Sequence, residues 1–85
     1  MTRAERLLER VLLGTSDADI PFAGIRQLLE ALGFQERIRG SHHLFTRKGA
    51  EEILNLQPRR GKAKSYQVRQ VRDVILRYKL EGENR

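Results

Sequence analysis

Apolar residues recur at helical spacing through the first thirteen positions: Ala4, Leu7, Leu8, Val11 and Leu12 share one side, and Arg3, Arg6, Glu9 and Arg10 occupy the others. That spacing predicts a short amphipathic helix over residues 2–13 with its stripe turned to a core. Gly14-Thr15-Ser16-Asp17-Ala18-Asp19 is small and polar and reads as a linker. A second stripe follows, formed by Phe22, Ile25, Leu28, Leu29 and Leu32. Pro21 suits the first turn of that helix, because its missing N–H would be unpaired there, and Gly33 supplies the left-handed residue that ends it.

From Phe34 to Arg39 the period changes to two, with Phe34, Glu36 and Ile38 on one side and Gln35, Arg37 and Arg39 on the other. Glu36 makes the apolar side imperfect. Residues 42–47 are β-rich in composition, Lys48-Gly49 offers a turn, and Glu52, Leu54 and Leu56 share a face of a third strand that Pro58 ends. Pro58 to Lys64 reads as an irregular basic loop. Ser65 is then the expected N-cap of a helix whose stripe is Val68, Val71, Val74, Ile75 and Tyr78. Strands bracketed by helices bury one sheet face beneath them, which predicts an α+β domain with an α-β-β-β-α unit over residues 21–80. Residues 1–20 are read as an N-terminal helix and linker, and residues 81–85 as a tail.

Eighty-five residues suffice for one core and no second domain. The absence of cysteine removes disulfides and thiolate zinc sites, and two adjacent histidines without further ligands make a poor metal centre. No metal or cofactor is therefore expected. The longest apolar runs, Val11-Leu12-Leu13 and Val74-Ile75-Leu76, fall far short of the roughly twenty residues that span a bilayer. No membrane association is expected, and with no signal peptide visible the expected compartment is the cytoplasm. Charge changes the picture more. Residues 1–33 carry four basic and five acidic groups, residues 34–58 four and three, and residues 59–85 nine and three. The surplus makes a polyanion the natural partner.

The only histidines, His42 and His43, are adjacent and follow Arg37-Ile38-Arg39-Gly40-Ser41. An imidazole among guanidinium groups can hold a phosphate and move a proton beside it. In an extended strand the two rings point to opposite faces, one working and one supporting. Periodicity does not choose between them, since Leu44 and Phe45 are both apolar; an ordinary strand with one buried and one solvent-facing histidine would show the same pattern. Arg59, Arg60, Lys62 and Lys64 cluster just before a helix start, where backbone N–H groups add to the attraction for phosphate. Tyr66 beside them could stack on a base or pack on its own sheet.

Leu32-Gly33-Phe34, Gly40-Ser41-His42-His43-Leu44-Phe45, Asn55-Leu56-Gln57-Pro58 and Gly61-Lys62-Ala63-Lys64-Ser65-Tyr66-Gln67-Val68-Arg69-Gln70-Val71 together resemble the HicA toxins of type II toxin–antitoxin modules. The resemblance runs from Leu29 to Leu80. It implies a double-stranded-RNA-binding-like fold and a ribosome-independent mRNA endonuclease neutralised by a HicB-type antitoxin protein. It also implies that the essential histidine, the one following Gly-x, is His42, with Gly40 and Ser41 matching the positions before it. Ser65 stands where members of this subgroup often have proline, and the helix over residues 2–13 lies outside the usual minimal domain. The expected chemistry is metal-independent: His42 works on a ribose 2′-OH, while Arg39, Gly40, Ser41, His43, Arg47, Arg59, Arg60, Lys62 and Lys64 hold RNA. The competing expectations are a non-catalytic RNA-binding module, since such a fold also grips RNA by shape alone, and a protein whose basic face docks an acidic partner.

Overall fold

The computed structural model describes residues 2–80, so the expected tail at 81–85 lies outside the described residues. Helix α1 (Arg3–Leu13) opens with a capping box: the Thr2 hydroxyl accepts the Glu5 N–H at 3.1 Å, and the Glu5 carboxylate accepts the Thr2 N–H at 2.9 Å. Gly14, at φ +74°, closes it. The segment read as a linker is a folded connection. Asp17–Asp19 form a 3₁₀ turn, and Arg72 from the last helix grips both Asp17 oxygens at 2.9 and 3.1 Å while donating to the Val11 carbonyl at 3.1 Å.

Helix α2 (Phe22–Ala31) follows, and Gly33, at φ +93°, turns the chain into the sheet. Strands β1 (Gln35–Arg39), β2 (His42–Arg47) and β3 (Ala50–Leu56) form an antiparallel sheet in the order β1-β2-β3. β3 begins two residues earlier than its alternation indicates, because its first residues pair across the turn, Ala50 opposite Arg47, before an irregularity in register. Helix α3 (Ser65–Tyr78) closes the described chain. Its N-cap is Lys64, in extended conformation, and not Ser65. The Lys64 carbonyl takes the N–H groups of both Gln67 and Val68, which draws Ser65 into the first turn.

One face of the sheet, carrying Phe45, Leu54 and Leu56, is buried against α2 (Ile25, Leu28, Leu29) and α3 (Val68, Val71, Val74, Ile75). Leu7 and Val11 of α1 belong to this same cluster, with Val11 fully buried, so the N-terminal helix is part of one core. Glu36, the flaw in the first strand's apolar side, lies on this covered face and is satisfied there: Arg26 clasps its carboxylate at 2.8 and 3.0 Å. The segment 58–64 is not irregular. Strands β4 (Pro58–Arg59) and β5 (Lys62–Ala63) form a hairpin turned by Arg60 and Gly61, both at positive φ (52° and 78°), as a two-residue type I′ turn requires. The hairpin is pinned to the start of α2, where the Phe22 N–H reaches the Gly61 carbonyl and the Ala63 N–H reaches the Ile20 carbonyl, each at 2.9 Å. Among the described residues no helix is long and apolar enough to cross a membrane.

Candidate active site on the open sheet face

Alternation along β2 separates the two histidines as strand geometry requires. His43 and Phe45 turn to the covered face, and His42, Leu44 and Thr46 turn to the open one. What the pattern of apolar residues leaves undecided, the core decides: Phe45 is 1% exposed. Register then assembles the open face, with Arg39 opposite His42 and Arg37 and Asn55 flanking Leu44. Arg37, Arg39, His42 and Asn55 are all exposed.

His42 Nδ1 lies 3.1 Å from Asn55 Oδ1. An amide oxygen can only accept, so this contact is a hydrogen bond when Nδ1 carries the proton, which leaves the Nε2 lone pair free as a base. Gly40 and Ser41 make the two-residue turn between β1 and β2; Gly40 has φ +60° at the first turn position, where a type II′ turn places glycine. The Ser41 hydroxyl accepts from Gln57 Nε2 at 2.8 Å, tying this turn to the end of β3. Asn55 and Gln57 belong to a segment that carries the family resemblance, but the sequence assigns neither a role at the site. Their signal is their spacing: two polar residues at i and i+2 at the end of β3, alternating with Leu54 and Leu56, which are core.

His43 occupies a different environment. Its Nδ1 is 2.7 Å from Glu36 Oε2, its ring meets Phe22 edge-on with centroids 4.8 Å apart, and its side chain is 13% exposed. Arg26 holds Glu36 below the usual carboxylate range; burial opposes the shift and His43 adds to it. His43 therefore supports β1, β2 and α2 and does not face the open surface with His42.

The basic residues divide in the same way. The β4–β5 hairpin leaves β3 at the His42 end of the sheet, one residue beyond Gln57. Arg59 and Arg60 are exposed, Lys64 is half-buried, and none of the three makes a side-chain hydrogen bond among the described residues. Lys62 is ion-paired, its Nζ 2.6 Å from Asp19, whose carboxyl it holds below the usual range. Arg47 is not brought to the site. It lies five residues along β2, roughly 17 Å away at strand spacing, on the covered side. There it donates to the carbonyls of Leu32 at 2.7 Å and Lys48 at 3.0 Å, locking the α2–β1 corner.

Together these groups can attract a phosphate to the Arg39 and Arg59–Arg60 end of the sheet and accept a proton there at His42 Nε2. Among the described residues no three His, Asp or Glu side chains converge as metal ligands. No protein family, curated protein or solved structure matches the chain.

Proposed function

We propose that this protein is a metal-independent endoribonuclease that cleaves mRNA with a single histidine, on a double-stranded-RNA-binding-like α-β-β-β-α fold, and that it serves as the toxin of a HicA-type toxin–antitoxin pair in the cytoplasm. The observation that supports this best is His42 itself. It is exposed on the open face, its Nδ1 is engaged by Asn55, and it stands opposite Arg39. In the reaction, Nε2 takes the ribose 2′-OH proton as O2′ attacks the adjacent phosphorus. The P–O5′ bond breaks, leaving a 2′,3′-cyclic phosphate and a 5′-oxygen that takes a proton from water. Arg39 and the β4–β5 hairpin offset the charge that builds on the phosphorane.

A positioned base supplies about 10²–10⁴-fold, so turnover is slow beside nucleases that pair an acid with a base. An antitoxin that silences this basic site is most simply acidic and laid over it. The test is incubation of purified protein with single-stranded RNA in excess chelator, wild type against His42→Ala. Cleavage that persists in the variant, or that disappears from wild type on chelation, overturns the proposal. Binding without new RNA ends in either protein would instead establish a non-catalytic RNA-binding module.

A further inference from the structure

Beyond Asn55 the outer edge of β3 and helix α3 enclose an open recess of about 360 Å³. Its α3 wall is a polar stripe, Tyr66, Gln70, Asp73 and Arg77, at the i, i+4, i+7, i+11 positions that put side chains on one helical face. Ile53 and Asn55 form the opposite wall. The recess adjoins the candidate active site through Asn55, which lines it and also bonds His42.

Its chemistry suits a planar heterocycle better than a phosphate or a peptide. Tyr66 is 49% exposed and Ile53 is 64% exposed, so an aromatic ring and an aliphatic side chain are left uncovered within it. The Gln70 amide and Asp73 carboxylate make no hydrogen bond among the described residues, the Arg77 guanidinium in the same lining is already paired with Glu52, and Asp73 repels a phosphate placed there. A peptide adding as a fourth strand would need a run of free edge, yet both ends of this edge are occupied. The Tyr78 hydroxyl accepts the Glu51 N–H at 3.3 Å, and the buried Gln67 amide is placed to pair both backbone groups of Gln57, at 3.1 Å each in the orientation that suits its oxygen and nitrogen.

We propose that this recess is a nucleobase subsite that favours guanine in single-stranded RNA. The base next to the phosphate at His42 lies against Tyr66, its N1–H and N2 amino group donate together to the Asp73 carboxylate, and O6 accepts from the Gln70 amide. Guanine is the base that offers two adjacent donors to one carboxylate. The proposal rests on the reading of His42 as the group that acts on RNA, and its test does not require cleavage.

Isotope-labelled protein is titrated with guanosine 3′-monophosphate, uridine 3′-monophosphate and inorganic phosphate while backbone amide signals are followed. Guanosine monophosphate is expected to move Tyr66, Gln70 and Asp73 and to bind more tightly than the uridine compound, whereas phosphate alone moves only the surroundings of His42 and Arg39. Asp73→Asn should remove the preference for guanosine, and Tyr66→Ala should weaken both nucleotides by about tenfold, the range of one lost base–aromatic stack. Both side chains are exposed, and the amide spectrum of each variant reports whether the fold is kept. Shifts from guanosine monophosphate that match those from phosphate alone, or a guanosine-to-uridine ratio unchanged in Asp73→Asn, overturn the subsite. Guanosine-specific shifts here without His42-dependent cleavage retain the subsite and remove the ribonuclease reading; His42-dependent cleavage with a silent recess does the reverse.

Discussion

Replacing Asn55 by leucine removes the partner of His42 Nδ1 while keeping the side chain's size and its place on β3. The contact is 3.1 Å long and exposed, so its net worth is that of an ordinary solvent-facing hydrogen bond, about 0.5–1.5 kcal/mol. At about 1.4 kcal/mol per factor of ten, its loss reduces the share of histidine with a free Nε2 by about two- to tenfold. On the proposed mechanism the base itself contributes about 10²–10⁴-fold. Asn55→Leu should therefore retain a tenth to a half of the wild-type kcat under conditions where His42→Ala retains a hundredth or less. Asn55→Asp, which keeps an acceptor, should hold the tautomer and raise KM through its added negative charge beside the RNA. Initial rates on a labelled single-stranded RNA in chelator give kcat and KM, and ring-nitrogen NMR of His42 shows which nitrogen carries the proton. Unchanged ring signals in Asn55→Leu refute the positioning role. A leucine variant as inactive as His42→Ala also refutes it, because Asn55 would then be touching the reacting atoms.

Arg72→Met breaks the partly buried two-oxygen grip on Asp17 and the bond to the Val11 carbonyl, and should lower stability by about 2–3 kcal/mol, or roughly 10 °C or more in melting temperature. Arg72 depresses the Asp17 pKa, so the ion-pair part of the stabilisation is complete above the ordinary carboxylate range and fades as pH falls through the depressed value; the gap between wild-type and variant melting temperatures should narrow in acid to what the bond to the Val11 carbonyl contributes, and a constant gap contradicts the pairing. Arg60→Asn should raise stability by up to about 1 kcal/mol, because asparagine tolerates the left-handed conformation at φ 52° better than arginine; a lower denaturant midpoint argues against this account. In salt titrations of RNA binding, Arg59→Ala should reduce the slope of log K against log salt by about one. Lys62→Ala should reduce it less, since Asp19 already neutralises that ammonium; equal slopes would count against the distinction.

Helix α3 is legible in the sequence because its apolar residues keep a clean period, and Val68, Val71, Val74 and Ile75 are buried as that period demands, whereas the sheet is legible from β-rich composition and turn residues in spite of the break at Glu36. The histidine pair is legible only as far as its split. Choosing the outward ring requires knowing that Phe45 fills the core, which is a property of the assembled layers and not of the strand. Arg47 is near His42 in sequence, yet an extended chain carries it along β2 and alternation turns it to the covered side, so proximity in sequence misleads. The Arg60-Gly61 turn lacks the Asn-Gly signature that marks most such hairpins, and what fixes it is tertiary: the backbone bonds to Ile20 and Phe22. The placement of α1 in the main core likewise depends on Arg72, fifty-five residues away from Asp17, a pairing no local pattern announces.

The split between the two histidines is fixed along β2 and not at the Gly40-Ser41 turn that precedes it. Because strand side chains alternate, inserting one residue between Arg39 and His42 without changing the core register of Phe45 has no effect on which ring faces out, whereas an insertion absorbed within β2 after His43 flips the whole upstream pair. His42 would then turn toward Phe22 and Glu36, and His43 toward Asn55. Which imidazole stands on the open face is in that sense a matter of counting: a single inserted residue exchanges the two with no change to either, so the proposed one-histidine chemistry rests on the length of β2 between the histidines and Phe45 as much as on His42 itself.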